Sequence, residues 1–162
     1  QNSKTTGIIL PPYARETFDN FLVGKILDSL IIGCIAYIGF YVMGIRYAVL
    51  FSVIIGITNV IPYFGPFMGG IPVCLLVFLD NPNMLLPVGL FILILQQVDG
   101  NIIGPKILGD AIGVRPISII FAIMIGGALG GVLGMLFAVP TFVIINDLIT
   151  NYIDRRYRNK NS

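Results

Sequence analysis

The sequence has no histidine and only two cysteines among its 162 residues. Histidine is the most common general base near neutral pH and a common metal ligand, so its absence argues against an enzyme and against a metal site. Cys34 and Cys74 lie within apolar stretches, where a free cysteine behaves as a small hydrophobic side chain rather than as half of a disulfide or a zinc ligand. We therefore predict that the protein is not an enzyme and that it needs no metal and no cofactor.

Charged side chains are also scarce. They make up 11% of the sequence, whereas they make up roughly a quarter of a soluble globular domain. Hydrophobic residues reach 56% and the mean hydropathy is +0.93. The net charge of +2 is too small to indicate nucleic acid as a partner. This composition predicts a membrane protein whose partner is the lipid bilayer.

Lysine, arginine, aspartate and glutamate are absent from three long tracts, residues 47–79, 81–98 and 116–146. Each tract approaches or exceeds the roughly 20 residues that cross a ~30 Å hydrocarbon core as an α-helix. Several such helices must pack together. The predicted fold is therefore all-α, a polytopic membrane helix bundle with two broken or re-entrant helical segments.

The chain divides into three predicted parts. Residues 1–25 form an irregular segment and an amphipathic interfacial helix, because charged residues mix there with apolar residues at helical spacing. Residues 26–153 form the transmembrane domain, in which Asp28, near the start of the first span, can stay at the interface. Residues 154–162 form a basic tail that contains DRRYRNK. By the positive-inside rule, this tail predicts a cytoplasmic C-terminus.

Proline and glycine interrupt the apolar tracts at two places. The first break is IPYFGPFMGGIP at residues 61–72, and the second is QQVDGNIIGPKILGDAIGV at residues 96–114. Backbone without helical hydrogen bonds is tolerated inside a bilayer only where protein or a water-filled cavity satisfies it, so such breaks often line a substrate path. The predicted helix-breaking residues are Pro62, Gly65, Pro66, Gly100 and Pro105.

Asp99 is the most informative polar residue, because an aspartate at the centre of a membrane helix costs roughly 2.5–3.5 kcal/mol. Gln96, Gln97 and Asn101 are close to it in the sequence. Such a cluster could bind a polar solute, or exchange a proton or a sodium ion through the carboxylate oxygens. The alternative is that Asp99 caps a helix at the interface and that Asn101 is a second cap.

Asn59 and Tyr63 flank the first break. Asn59 either hydrogen-bonds across neighbouring helices or faces the same cavity as Asp99. Tyr63 is included in the predicted solute or ion path for its position beside the break.

The stretch 117–149 is long enough for two helices, which we expect to meet near residues 130–134 or just before Pro140. Small residues recur there every four positions, so that neighbouring helix backbones can approach closely. Packing is the simpler interpretation of this repeat, and a glycine-lined path or sliding surface is the alternative. The glycines concerned are Gly126, Gly127, Gly130, Gly131 and Gly134.

Three runs resemble the signature segments of the autoinducer-2 exporter family of bacterial membrane transporters, in the same order and at similar spacing. They are GITNVIPYFGPFMGGIP (56–72), QQVDGNIIGPKILGDAIGVRPISII (96–120) and GGALGGVLGMLFAVP (126–140). The similarity covers residues 18–150 and corresponds to the C-terminal half of a typical member. Where relatives often have glutamate, this chain has Asp99, which keeps the carboxylate on a shorter side chain.

The resemblance implies a multi-spanning transporter of the bacterial inner membrane that forms homo-oligomers. It implies transport of a small solute, with autoinducer-2 as one candidate, or exchange of sodium for protons. The motif positions that it carries over to this chain are Asn59, Pro62, Gly65, Pro66, Gln97, Asp99, Gly100, Asn101 and Pro105. A membrane scaffold or assembly module that transports nothing remains the alternative.

Overall fold

The computed structural model describes residues 12–108 and 116–160, and within these ranges it contains helices and short connections but no strand. The all-α prediction is therefore confirmed for the described part of the chain. The helices are α1 (Pro12–Val42), α2 (Ala48–Thr58), α3 (Gly65–Asp80), α4 (Leu85–Val98), α5 (Gly104–Leu108) and α6 (Pro116–Lys160). A 3-10 turn (Pro82–Met84) precedes α4, and a π-helical turn (Asp99–Ile103) joins α4 to α5.

Helix α1 is continuous over 31 residues and ends just before Gly44, which has a φ of 71°. It begins at Pro12, because proline lacks only an N–H that the first turn of a helix leaves unpaired in any case. The predicted amphipathic segment and the predicted first span are thus one helix. At 1.5 Å per residue, Asp28 lies about 21 Å from the end of α1, near its middle. The expectation that Asp28 lies near the start of its helix is wrong, because α1 begins well before residue 26.

Helices α2 and α3 form a hairpin whose arms are too short to cross a bilayer. They have 11 and 16 residues, or about 16 and 24 Å, against a hydrocarbon core of about 30 Å. Residues 59–64 connect the arms, and Tyr63 takes a φ of 61° in the turn. This connection is the first predicted break.

The first break is shorter than predicted, since the chain is helical again from Gly65 onward. Pro66 falls in the first turn of α3, where no hydrogen-bonded N–H is needed. Pro72 is accommodated inside α3 and removes one backbone hydrogen bond from the helix. The density of proline and glycine therefore marks the start of a helix as well as the turn before it.

The second break also keeps more helix than predicted. The chain stays helical from Leu85 to Leu108, but it widens into the π-helical turn, in which the N–H of Gly104 reaches the carbonyl of Asp99 five residues earlier. A π-turn inserts one extra residue into a helix, and such turns are frequent at functional sites. The remainder of the predicted break, residues 109–115, lies outside the described residues.

Helix α6 is a hairpin rather than one straight helix. Its backbone reverses at Gly131, where φ is 59° and ψ is −140°, a conformation that side chains other than glycine rarely adopt. A Cβ atom added to Gly126 would meet the backbone of Gly134 and the side chain of Ala138. These residues are far apart along a straight helix, so the two arms fold back against each other. The prediction that two helices meet near residues 130–134 agrees with this turn.

Two apolar clusters hold the bundle together. The larger cluster joins the second half of α1 to α2, α3 and α4, and the smaller cluster joins the first half of α1 to α6. In addition, the rings of Phe18 and Phe137 stack with their centroids 5.4 Å apart. The larger cluster comprises Ile32, Ala36, Phe40, Ala48, Phe51, Ile55, Val73, Val77, Val88, Ile92 and Leu95, and the smaller comprises Phe21, Ile119, Ile123 and Val139.

Among the described residues, three segments are long and apolar enough to cross a membrane: Arg15–Val42, Pro82–Ile107 and Ile117–Ile153. The third contains the reversal at Gly131, so it enters the bundle as two packed arms. The side chains that the chain exposes are largely apolar, which is the surface that lipid requires.

Candidate functional site

Between the two apolar clusters, five polar side chains are buried together in the bundle. Lys25, Asp28 and Ser29 come from α1, Asn59 follows the last residue of α2, and Asp99 begins the π-helical turn. Their exposed fractions are 6%, 0%, 6%, 2% and 7%. Lys25, Asp28 and Asp99 are the buried charged side chains among the residues whose side-chain exposure is described. We call these five residues the buried polar cluster.

The buried polar cluster lies deep in the membrane domain. Asp28 is about 21 Å from the C-terminal end of α1, and Asp99 is about 21 Å from the start of α4. Asn59 is about 16 Å from the start of α2. The three helices pack in the larger apolar cluster, and their ends at residues 42, 48 and 85 are therefore at a similar level. In a hydrocarbon core of about 30 Å, the cluster lies nearer the middle than that edge.

Asp28 is the centre of the hydrogen bonds in this cluster. Its Oδ2 atom accepts a hydrogen bond from the Lys25 ammonium at 2.6 Å and a second from the Asn59 amide nitrogen at 3.2 Å. Its Oδ1 atom is buried and has no hydrogen-bond partner. The Oδ2 atom of Asp28 thus accepts two hydrogen bonds, whereas its Oδ1 atom accepts none.

The Asp99 carboxyl group lies within electrostatic range of Asp28, Asn59 and Lys25. Its Oδ1 atom is buried without a hydrogen-bond partner, as is the hydroxyl of Ser29. Buried polar atoms are normally paired, so free ones require an explanation. Two carboxyl groups and one ammonium therefore share a site that retains three unpaired oxygen atoms.

Local sequence explains why these groups meet. Gly33 and Gly56 let α1 and α2 approach closely, since a Cβ atom added to Gly56 would lie 3.3 Å from both the Cα of Gly33 and the carbonyl oxygen of Ser29. This close approach lets Asn59 reach Asp28. Asp99 continues the register of α4, since its N–H still bonds to the carbonyl of Leu95, and the π-helical turn shifts the residues that follow it.

The other predicted path residues do not join the buried polar cluster. Gln97 and Asn101 are exposed, and the amide nitrogen of Asn101 donates to the backbone and side-chain oxygens of Gln97 at 2.8 and 3.2 Å. Gln96 is half-buried and Tyr63 is 47% exposed. Of the six predicted path residues, the structure brings Asn59 and Asp99 together.

The predicted helix-breaking residues lie in the chain segments next to Asn59 and Asp99. Pro62, Gly65 and Pro66 belong to the tip of the α2–α3 hairpin, which adjoins Asn59. Gly100 is exposed in the π-helical turn and Pro105 is exposed in α5.

Sequence reasoning missed Lys25, Asp28 and Ser29. A signal is present, since Lys25 and Asp28 are three residues apart in an otherwise apolar stretch and so share one face of a helix. This spacing did not stand out because the first span was expected to start at residue 26. That start places Lys25 and Asp28 at the membrane surface, where charged residues are common.

The fold and the buried polar cluster define the class: a multi-pass membrane protein of helices, with short apolar helices and buried charges, as transporters have. Residues 3–154 match the family described as "AI-2E family transporter". The chain belongs to this family, and it is accordingly a multi-pass bacterial membrane protein of the transporter class.

Related proteins carry names of the same kind. The chain is 32% identical over 150 residues to "Putative transport protein YueF" of Bacillus subtilis, which covers 93% of this chain and 41% of the relative. It is 36% identical over 141 residues to "Putative transport protein YrrI" of the same organism, covering 87% and 40%. It is 32% identical over 143 residues to "Putative permease PerM" of Escherichia coli, covering 86% and 40%.

The chain thus spans about two fifths of the length of these relatives. No solved structure is significantly similar to it. The names of these three relatives describe transport and permeation rather than a chemical reaction.

Proposed function

We propose that this chain carries the coupling site of a secondary transporter that exchanges a monovalent cation, such as sodium, for protons. Asp99 is the coupling group, because its carboxyl binds a proton in one half of the cycle and the cation in the other. The observation that carries the proposal is the unpaired Oδ1 atom of Asp99, which is buried in the membrane domain beside a second carboxyl group.

Physical chemistry favours a functional role for such a carboxyl group. An ionisable side chain in a membrane domain is costly, and it faces the interior of the bundle when it belongs to an ion or substrate path. Carboxylate and amide oxygens are suitable ligands for hard cations. Asp99, Asp28 and Asn59 supply such oxygens from the π-helical turn, from α1 and from the end of α2.

The α2–α3 hairpin supports the same proposal. Transporters often bind their ions at the ends of short, interrupted helices near the middle of the bilayer. Asn59 stands at such an end, and it donates a hydrogen bond to Asp28. Movement of the hairpin tip would therefore change the surroundings of both carboxyl groups.

Export of autoinducer-2 is the second candidate function. The exposed amide groups of Gln97 and Asn101 favour it, because they lie two residues to either side of Asp99 and offer hydrogen bonds to a polar solute. A scaffold that transports nothing is the third possibility. The same assay separates all three.

The test uses the full-length protein in proteoliposomes that report internal pH. We expect sodium addition to drive proton flux in the parent protein. Asp99→Asn should reduce this flux to the level of protein-free vesicles, because an amide cannot carry the proton. Asp80→Asn is the matched control, since Asp80 is an exposed carboxyl at the end of α3, and it should retain full flux.

Equal flux in the parent protein and in Asp99→Asn would remove the coupling role of Asp99. If sodium drives no proton flux but the parent protein moves autoinducer-2, the second candidate replaces the first. If neither sodium, protons nor autoinducer-2 crosses the membrane, the scaffold interpretation gains.

A topology prediction follows from the basic residues at the C-terminus. Arg155, Arg156, Arg158 and Lys160 directly follow the last apolar segment, and basic residues next to a span favour the cytoplasmic side. We therefore propose insertion in the inner membrane with a cytoplasmic C-terminus. A reporter fused after Ser162 and active only in the cytoplasm should be active, and activity of a periplasm-specific reporter at the same point would contradict the charge argument.

Homo-oligomer formation, which the family resemblance implies, is also a proposal. The mass of the full-length protein in detergent solution, corrected for bound detergent, measures the number of subunits.

A further inference from the structure

We propose that Lys25 is a tethered counter-ion of the coupling site. Its ammonium group neutralises Asp28 before the transported cation binds, and a monovalent cation bound between Asp28 and Asp99 displaces it. The proposal rests on the proposed function and adds to it a second carboxyl group and an internal competitor for the cation.

The geometry of the ion pair supports this role. Lys25 Nζ and Asp28 Oδ2 are 2.6 Å apart, and both side chains are more than nine-tenths buried. The two residues are one helical turn apart on α1, so the flexible lysine chain can move its charge without moving the helix. Replacing a buried ion pair by apolar residues is often neutral or stabilising. Stability alone is therefore a weak reason for this pair.

The unpaired oxygens indicate where a ligand binds. Asp28 Oδ1, Asp99 Oδ1 and Ser29 Oγ are buried without hydrogen-bond partners, and such atoms are rare in folded proteins. The carboxyl group of Asp99 lies within electrostatic range of Asp28. A cation held between them would satisfy both free carboxylate oxygens.

The charge of the site selects the class of ligand. With both aspartates ionised and Lys25 protonated, the three charged groups sum to one negative charge. A single proton or monovalent cation neutralises the site, whereas a divalent cation would leave an unpaired positive charge at a depth where such a charge is costly. Among the residues whose side-chain exposure the structure describes, no further charged side chain is buried, and Lys106 of α5 is exposed. The geometry therefore points to monovalent cations, and protons compete for the same carboxylates.

The experiment measures the KM and kcat of sodium-driven proton flux in proteoliposomes of the full-length protein. Lys25→Met removes the competing charge and leaves two carboxylates for the cation. The KM for sodium should fall by at least about tenfold, because a unit charge within ~4 Å contributes far more than this ratio at protein dielectric constants. The kcat should fall as well, because nothing then helps to expel the cation.

Lys25→Arg tests the same idea without removing the charge, and it carries the test if Lys25→Met does not assemble in the membrane. A guanidinium binds a carboxylate through two parallel hydrogen bonds, so it is harder to displace than an ammonium. The KM for sodium should therefore rise severalfold. Opposite shifts in the two variants are expected only if the residue competes with the cation.

An unchanged KM in Lys25→Arg, or a KM that rises in Lys25→Met, would overturn the counter-ion role. The result is separate from the test of the proposed function. If Asp99→Asn abolishes flux while the Lys25 variants leave the KM unchanged, Asp99 keeps its coupling role and only the role of Lys25 is wrong. If Asp99→Asn transports normally, the proposed function fails first.

Discussion

Replacing Asp28 by asparagine is expected to destabilise the protein by about 3–5 kcal/mol, the usual effect of removing one member of a buried ion pair. The substitution keeps the volume of the side chain, so it creates little cavity. It leaves the ammonium of Lys25, which is 6% exposed, without its counter-ion. Unfolding of the full-length protein in detergent micelles by heat or denaturant measures the change.

Two further variants identify the cause of the lower stability of Asp28→Asn. Asp19→Asn removes an exposed carboxyl from the same helix, and it should change the free energy of unfolding by less than about 0.5 kcal/mol. The double variant Lys25→Met with Asp28→Asn removes both charges of the ion pair and should recover most of the stability. If the double variant is as unstable as Asp28→Asn, the unpaired ammonium is not the cause, and the lost hydrogen bond from Asn59 must be considered instead.

Replacing Gly134 by alanine is expected to destabilise the α6 hairpin by about 1–3 kcal/mol, because the added methyl group overpacks a closed contact. A Cβ atom at this position would meet the backbone carbonyl of Gly126 in the opposite arm. Backbone cannot rotate away as the end of a side chain can, so the arms must separate. The thermal unfolding temperature of the full-length protein reports the change.

Gly130→Ala is the matched control for this prediction. Gly130 lies next to the reversal at Gly131, but a Cβ atom added there has no neighbour within 4 Å. Alanine is the better helix former by up to about 1 kcal/mol, so this variant should be neutral or slightly stabilised. Equal unfolding temperatures for Gly130→Ala and Gly134→Ala would contradict the close contact between the two arms.

The sequence predicted the fold class well because lipid imposes a simple rule. Long tracts without charge cross a membrane as helices, because each backbone N–H and C=O group must then find its hydrogen-bond partner within the same segment. The turn in α6 was also predictable, because residues 117–149 are too long for one crossing and glycine is concentrated near residue 131. Both arguments need only the order of residues and the thickness of a bilayer.

The position of helix ends was less predictable. Pro12, Pro66 and Pro72 all suggest interruption when they are considered one by one, yet α1 begins at the first and α3 contains the other two. Proline is compatible with the first turn of a helix, and a single interior proline removes only one hydrogen bond. Which case applies depends on the packing of neighbouring helices. The expected start of the first span at residue 26 had another cause, since the charged residues before it indicated an interfacial helix.

The direction of side chains on the membrane helices could not be predicted either. Helix α4 is apolar on nearly all sides, so its sequence shows no polar face that would distinguish inside from outside. Gln97 and Asn101 were therefore assigned to the same predicted path as Asp99. In the structure they are exposed and bond to each other, while Asp99 faces α1 and α2.

By itself the sequence determined the membrane environment, the helical class, the family and the identity of Asp99 and Asn59 as informative polar residues. These conclusions depend on composition, on charge-free length and on local motifs. Only the tertiary structure decided that Lys25 and Asp28 complete the same cluster and that Gln97 and Asn101 do not. The reason is physical: α1, α2 and α4 are distant in sequence, and the depth at which their side chains meet is determined by where each helix starts and how closely glycine lets the helices approach.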